Sequence, residues 1–173
     1  MRTARRYPLL LLLLLLLLTA CGGAEDGAAD APQEDRPYTC TVSISCAALL
    51  DNMDALEEGK RRLVPADGVL LPETQAAFAE GDSVFDILQR VCRDNGLHME
   101  SSFTPVYGSA YIEGIGNLYE FDGGSLSGWM YAVNDLFPNY GCSQYLPQDG
   151  DVIRWVYTCD LGRDVGGGDA VQN

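Results

Sequence analysis

Residues 127–159 read SGWMYAVNDLFPNYGCSQYLPQDGDVIRWVYTC, and this stretch decides the fold. Its two ends, Gly128–Val133 and 152–159, alternate side chains in the two-residue period of half-buried strands. In the first strand Trp129 and Tyr131 share a face. In the second strand one face carries Ile153, Trp155, Tyr157 and Cys159. Polar turn residues at 134–135 and 149–150 predict chain reversals, so the stretch predicts two paired strands around an aromatic loop.

Three motifs occur in one order and carry a family resemblance: CTVSISC at 40–46, GDSVFDILQRVCRDNG at 81–96, and SGWMYAVND with the later DGD turn and VIRWVY strand. Together they resemble the DUF4430 family, whose domains of unknown function are similar to the C-terminal β-domain of transcobalamin and intrinsic factor. The resemblance implies a β-grasp domain over residues 38–161. It also implies capture of cobalamin or another corrinoid around Trp129 to Tyr145.

The remaining elements fit that architecture. Residues 39–46 predict a strand, and residues 68–78 predict a second strand that Pro72 places at a sheet edge or bulge. Ser83, Asp86 and Gly96 supply the cap signals of a helix with one apolar stripe. One amphipathic helix packed against a mixed sheet is an α+β fold, and the resemblance specifies it as β-grasp-like.

The N-terminal segment is typical of an exported lipoprotein. Arginines precede an unbroken leucine run, and Leu18-Thr19-Ala20-Cys21 matches a lipobox. The alternative, a transmembrane anchor, is disfavoured because the run is well short of the roughly 20 apolar residues that a span requires. We therefore expect a signal peptide over 1–20, acylation of Cys21, a flexible acidic tether over 21–37 and a disordered tail over 162–173. The expected location is the extracytoplasmic side of the cell membrane.

The charge balance excludes one class of partner. The formal net charge is −14, and such a surface repels phosphate backbones. We expect no nucleic-acid binding. The partners expected instead are the membrane, through the lipid, together with a corrinoid or an envelope protein.

Apart from Cys21, five cysteines remain in a domain expected to be exported, where disulfides persist. The candidates for bridges are Cys40, Cys46, Cys92 and Cys159. If the first and last strands run parallel, Cys46 and Cys159 lie at one end, while Cys40 lies roughly 20 Å from Cys159. Cys92, on the helix, competes for Cys46. Similar sequences imply a cysteine near Gly123 as the partner of Cys142, so its absence makes Cys142 the candidate free thiol.

No residue pattern indicates catalysis. His98 is the only imidazole, no serine lies in a GxSxG context, and no cysteine or histidine spacing matches a metal site, so we expect no enzyme, no intrinsic cofactor and no metal. Candidate ligand-binding residues are Trp129, Tyr131, Asn134, Phe137, Tyr140 and Tyr145. Their aromatic rings are candidates for a flat apolar face, and we expect the loop residues Phe137 and Tyr140 to be the most exposed. Two functions stay open: a lipid-anchored domain that captures a corrinoid, and an adhesion or protein-interaction module that uses the same aromatic loop.

Overall fold

The two strands of the 127–159 stretch pair antiparallel at one side of a four-stranded mixed sheet. The computed structural model describes residues 36–106 and 108–168, and all of them fall in one compact unit. Its strands are β1 Tyr38–Ser45, β2 Val69–Phe78, β3 Met99–Thr104, β4 Ser109–Ile115, β5 Leu118–Tyr119, β6 Gly128–Val133 and β7 Val152–Thr158. The mixed sheet has the order β2-β1-β7-β6, with β1 parallel to β7 and Ile44 opposite Trp155. The predicted α+β class and the parallel pairing of the first and last strands are confirmed.

A second, three-stranded antiparallel sheet, in the order β3-β4-β5, was not predicted. It forms from a Gly-, Ser- and aromatic-rich region whose alternation is weak. Gly116 and Asn117, both at positive φ, make the tight turn that joins β4 to β5. Such turns match the right-handed twist of the strands they connect.

The predicted helix is present as Val84–Asp94. Ser83 accepts a hydrogen bond from the amide of Asp86, whose carboxylate in turn accepts from the amide of Ser83, so the capping box is confirmed. Gly96 follows the helix at a φ of 65°, the left-handed conformation expected after a helix end. Shorter helical segments are Ala47–Asp51, Met53–Ala55, Glu58–Arg61 and Arg163–Val165. Among the residues described, no helix has the length and apolar character needed to cross a membrane.

The core lies between the helix and the inner face of the mixed sheet. Ile153, Trp155 and Tyr157 are buried on β7, as the alternation predicted, with Ile87 and Leu88 of the helix in the same cluster. Cross-strand aromatic pairs join β6 to β7. The rings of Trp129 and Tyr157 meet edge-on at 5.2 Å, and those of Tyr131 and Trp155 lie 5.5 Å apart.

The outer strand β2 carries the irregularity that Pro72 predicted. Val42 pairs with Thr74 and Ile44 with Leu71, so two residues, Pro72 and Glu73, stand opposite one. Proline has no amide to donate, and a bulge at an edge strand accommodates it.

The expected loose tail differs from the structure over its first part. The carboxylate of Asp164 accepts hydrogen bonds from the Thr158 hydroxyl and from the Cys159 amide, the latter at 2.7 Å. The amide of Gly162 donates to Thr158 Oγ1 at 2.7 Å. These bonds fold the chain back on the outer face of the mixed sheet through Gly168. The expectation for 169–173, like those for the signal peptide, Cys21 and most of the tether, concerns positions outside the described residues.

The expected disulfides are absent from the described part of the chain. Cys40, Cys46, Cys92, Cys142 and Cys159 are all free thiols. Cys46 and Cys159 do follow the same ends of parallel strands, but the Cys159 thiol donates to the carbonyl of Ala48 at 3.7 Å. The Cys40 thiol donates to the carbonyl of Ala76 at the same distance. Each of these thiols therefore has a main-chain partner in place of a second sulfur.

The resemblance also implied that position 123 lies beside Cys142, and this implication is wrong. A Cβ atom placed on Gly123 would lie 3.1 Å from the sulfur of Cys159. The Cys142 thiol instead donates to the carbonyl of Ala110, on β4. A cysteine at position 123 would thus be a neighbour of Cys159.

Candidate functional site

Two of the six predicted site residues are core residues. Trp129 and Tyr131 are each 8% exposed, because their side chains lie on the inner face of β6. Trp129 Nε1 donates to the carbonyl of Leu118 at 2.8 Å, and the Tyr131 hydroxyl donates to the carbonyl of Tyr140 at 2.8 Å. Both polar groups are satisfied internally. The predicted flat aromatic face is therefore not formed by these two rings.

Tyr140 and Tyr145 extend the row of packed aromatic rings from the core to the surface. Their rings stack at 5.8 Å and 10°, and Tyr145 meets Tyr131 edge-on at 6.1 Å. Tyr140 remains 47% exposed. The expectation that Tyr140 lies at the surface is confirmed.

Asn134 and Phe137 have structural roles in the fold. Asn134 and Asp135 both have positive φ and form the turn that follows β6. The Asn134 side chain donates to Asp151 at 2.8 Å and accepts from the amide of Val152 at 2.9 Å, which ties the turn to the start of β7. Phe137, predicted to be exposed, is half-buried. A Cβ on Gly167 would lie 2.9 Å from its ring, so the C-terminal segment covers it.

The surface feature nearest to these residues is a groove beside β6, made of two adjoining depressions. The first has a volume of about 230 Å³ and the second about 180 Å³. Both are lined by Tyr111, Trp129 and Met130, which places them along the same strand. We call this surface the β6 groove. The first depression is further lined by Phe121, Ser125, Leu126, Ser127, Gly128, Thr158 and Leu161, and the second by Ala110, Ile112, Tyr131, Pro138, Gly141, Cys142 and Trp155.

Three exposed apolar side chains form the rim of the first depression. Phe121, Leu126 and Leu161 are 62%, 43% and 41% exposed. Phe121 and Leu161 have φ values of 67° and 48°, a conformation that bulky residues rarely adopt. Residues held in such conformations cluster at functional sites.

Main-chain hydrogen bonds hold this rim together. The amide of Phe121 donates to the carbonyl of Ser127 at 3.1 Å, and the amide of Leu161 donates to the carbonyl of Leu126 at 3.0 Å. The Ser127 hydroxyl lies 2.9 Å from the Tyr157 hydroxyl, which donates to the carbonyl of Tyr119. Three chain segments are thereby fixed against one another. The apolar side chains project from a rigid frame.

Sequence reasoning missed this rim. It selected the aromatic residues of 129–145 as site candidates because they are closely spaced in the sequence. It did not select Phe121, Leu126 or Leu161. The clustered glycines and serines around Phe121 signal a turn, but a positive φ at phenylalanine or leucine has no sequence signature. Tertiary hydrogen bonds impose it.

One carboxylate borders the groove. The Tyr111 hydroxyl donates to Glu120 at 2.5 Å, and a Cβ on Gly128 would lie 3.8 Å from the Cβ of Glu120. Burial raises the pKa of Tyr111, and the neighbouring Glu120 raises it further. This phenol therefore stays neutral and acts as a hydrogen-bond donor over the whole physiological pH range. The groove lining itself contains no charged side chain.

A larger depression of about 300 Å³ lies elsewhere, beside Tyr38, Phe78 and Leu146. Two of its carboxylates already have partners. Asp82 pairs with Arg90 at 3.0 Å, and Asp149 accepts from the amide of Thr39 at 2.8 Å. We therefore regard the β6 groove, with its fixed and exposed apolar rim, as the candidate site.

The single histidine and the thiols form no catalytic or metal-binding arrangement in the part of the chain described. His98 Nε2 lies 3.1 Å from the Tyr119 hydroxyl and 3.7 Å from Glu100. No group of three metal-ligating side chains occurs among these residues. Burial raises the pKa of Cys142 to about 11, so the thiol that lines the groove is protonated at neutral pH.

A comparison with protein families finds a match over part of the chain. Residues 81–159 match the model of DUF4430, a domain of unknown function. This part of the chain is therefore similar to the DUF4430 family, as its sequence motifs indicated. The match runs from the residues that precede the helix to the end of β7.

Two solved structures are similar to the chain at low identity. One is haptocorrin in complex with Cbi, at 14% identity and a TM-score of 0.47. The match covers 71% of this chain and 26% of the haptocorrin chain, so the present chain corresponds to only a fraction of that protein. The other is a candidate metal-binding protein from Ruminococcus gnavus, at 15% identity and a TM-score of 0.41, covering 70% of this chain and 96% of that one. No curated protein matches the sequence.

Proposed function

We propose that this protein is a non-catalytic binding domain, held at the extracytoplasmic side of the membrane by a lipid on Cys21, and that it binds its ligand in the β6 groove. The observation that supports the site is the rim of Phe121, Leu126 and Leu161. Three large apolar side chains are exposed together around one depression, on a frame that main-chain hydrogen bonds fix. Exposed apolar patches of this kind mark ligand or protein interaction sites.

The ligand proposed from the family resemblance is a corrinoid. The two depressions, about 230 and 180 Å³, lie below or near the lower limit of about 300 to 1,000 Å³ for pockets that enclose a small molecule. A macrocycle would therefore lie against the rim on one face only. We infer that a partner chain covers its other face in the assembled site.

The test is a titration of the full chain, purified in detergent, with cobalamin and cobinamide. The corrinoid spectrum reports binding, and haem serves as the control ligand. Phe121→Ala should weaken saturable binding at least tenfold. Phe103→Ala is the matched control, because Phe103 is an aromatic residue of similar exposure, 65% against 62%, that does not line the groove.

No saturation at about 1 mM corrinoid would reject autonomous capture, since only about 4 kcal/mol of binding free energy is then available. Equal losses in Phe121→Ala and Phe103→Ala would reject the groove as the site. Retention of the chain in the membrane fraction after Cys21→Ser would reject the lipid anchor.

The second candidate is a protein-interaction module of the cell envelope. The small volume and openness of the two depressions favour it, because a shallow apolar surface suits a partner chain better than a macrocycle. The same Phe121→Ala variant would then weaken recovery of the partner, with no change in a corrinoid spectrum.

A further inference from the structure

We propose that β3 pairs with β3 of a second copy of this chain, so that the two three-stranded sheets join into one sheet across a two-fold axis at Ser101. The inference goes beyond the proposed ligand site, because no residue of β3 lines the β6 groove. It starts from the position of β3 at the end of its sheet. One side of the strand pairs with β4, and the other side has no pairing strand in the described chain.

The other sheet ends are short, protected or already bonded. On β2, a bulge at Pro72 blocks further pairing. The outer side of β6 bonds to Phe121 where the strand begins and to Leu136 where it ends. β5 has two residues. β3 has six residues, and the extra residue of its bulged pairing, Glu113, lies on β4 and leaves the outer side of β3 regular.

β3 is open to solvent on both of its faces. Residues 100–102 are exposed, and the apolar ring of Phe103 is 65% exposed. A strand of this kind presents a row of unpaired main-chain groups, which is a template for pairing with another chain. The exposed Phe103 adds apolar area that a further strand would cover.

The hydrogen bonds of β4 determine which main-chain groups of β3 point outward. Ala110, opposite Phe103, bonds through its amide and its carbonyl to the side chains of residues 142–143. The pair of Ala110 and Phe103 is therefore not hydrogen-bonded. Because antiparallel pairs alternate, the N–H and C=O groups of Met99, Ser101 and Phe103 all point away from β4.

A two-fold axis at Ser101 gives a register in which the two copies are complementary. Antiparallel pairing of the outward groups places Ser101 opposite Ser101 and Met99 opposite Phe103 of the second copy. Each copy thus supplies both members of an apolar cross-strand pair. On the other face, Glu100 lies opposite the uncharged Ser102 of the second copy.

Neighbouring registers are less favourable. With the axis at residue 100, Glu100 would face Glu100 of the second copy, and like charges directly opposite each other destabilise a sheet. With the axis at residue 102, Met99 would face Pro105, which has no amide to donate. The sequence of this strand therefore favours one pairing with itself.

The net charge gives this pairing a distinctive salt dependence. Each copy carries a formal charge of −14, so two copies repel each other over distances that salt screens. The apolar pairs and the main-chain hydrogen bonds carry no net charge for salt to screen. Dimerisation should therefore strengthen as ionic strength rises, whereas an association held by ion pairs would weaken.

The experiment uses the full chain in detergent, with single cysteines introduced at residues 100, 101 and 102. Opposed Cα atoms in a hydrogen-bonded pair lie about 5.5 Å apart, which a disulfide spans, so Ser101→Cys should give a cross-linked dimer on mild oxidation. Glu100→Cys and Ser102→Cys are matched controls, because each would lie about 8 Å from its own copy, beyond the reach of a disulfide.

The bridge at residue 101, identified by peptide mapping, should form at least tenfold faster than a bridge in either control. It should also form at least threefold faster in about 0.5 M sodium chloride than in about 0.05 M. All three variants share the same detergent micelles, so chance encounters within a micelle would cross-link them equally.

Ser101→Pro tests the pairing without a new thiol. The Ser101 amide points away from β4, so proline removes the donor to the second copy without removing a hydrogen bond within the sheet. Sedimentation should show a dimer at least tenfold weaker than that of Ser101→Ala, which keeps the amide. The circular dichroism spectrum should be unchanged.

Four results would overturn the inference: a monomeric parent chain at about 0.5 mM, equal cross-linking at residues 100, 101 and 102, a dimer that salt weakens, or a folded Ser101→Pro variant that dimerises as well as Ser101→Ala. If Ser101→Pro does not fold, the cross-linking comparison decides alone. Corrinoid binding by a monomeric chain would leave the proposed function intact and remove the dimer.

Discussion

A cysteine introduced at position 123 should form a disulfide with Cys159, and this prediction tests the geometry around β7. A Cβ on Gly123 would lie 3.1 Å from the Cys159 sulfur. This is close to the separation of about 3 Å between a Cβ and the opposite sulfur in a disulfide. The two groups therefore already lie at bridging distance.

The size of the effect follows from two opposing terms. Closing the loop from 123 to 159 removes unfolded-state entropy worth about 4 kcal/mol on the chain-entropy model. Against this, the new Cβ would lie 2.8 Å from Leu49 Cδ2 and 3.1 Å from Tyr157 Cε1, so those side chains must shift at a cost of about 1 to 2 kcal/mol. The oxidised Gly123→Cys variant should therefore be more stable than its reduced form by about 4 kcal/mol. Relative to the parent protein the net gain should be about 2 to 3 kcal/mol, or roughly 10 °C in Tm.

The assay is thermal and urea unfolding with and without reductant, together with peptide mapping of the bridge. Gly123→Ala is the control, since it adds the Cβ without the sulfur and measures the packing cost alone. A bridge from position 123 to Cys142, or no stabilisation on oxidation, would refute the placement of Gly123 beside Cys159.

Three other perturbations test interactions that stabilise the fold. Tyr157→Phe removes the hydroxyl that bonds to the carbonyl of Tyr119 and to Ser127, and unfolding in urea should show a loss of about 2 kcal/mol; an unchanged midpoint would mean that the network is not formed. Ser83→Ala removes the helix cap and should cost about 1 kcal/mol, whereas Ser83→Gly should cost only a few tenths, and equal losses would exclude capping as the cause. In reductant, stability should fall as pH rises above about 8.5, the ordinary pKa of a thiol in the unfolded chain. Burial raises the pKa of Cys40 in the folded protein to about 11, so the unfolded chain loses this thiol proton at a lower pH than the folded protein. At pH 10 this thiol should account for a loss of stability of about 2 kcal/mol. A loss that is smaller by this amount in Cys40→Ala than in the parent would assign the effect to Cys40.

The sequence by itself determined the elements whose residues repeat locally. Strands β6 and β7, the capped helix and the edge position of Pro72 all follow from side-chain period or from a cap. The parallel pairing of β1 with β7 followed from the family resemblance. The acidic net charge and the aromatic content could also be determined from the sequence, because composition does not depend on the path of the chain.

Tertiary structure alone decided the site. The burial of Trp129 and Tyr131 depends on which face of β6 meets the core, and the aromatic loop gave no sign of it. Phe121 and Leu161 reach the surface in left-handed conformations because hydrogen bonds to residues 126 and 127 hold them there. The thiols remain unbridged because each position is set by its strand or helix, and the distance between two cysteines is a property of the packed chain.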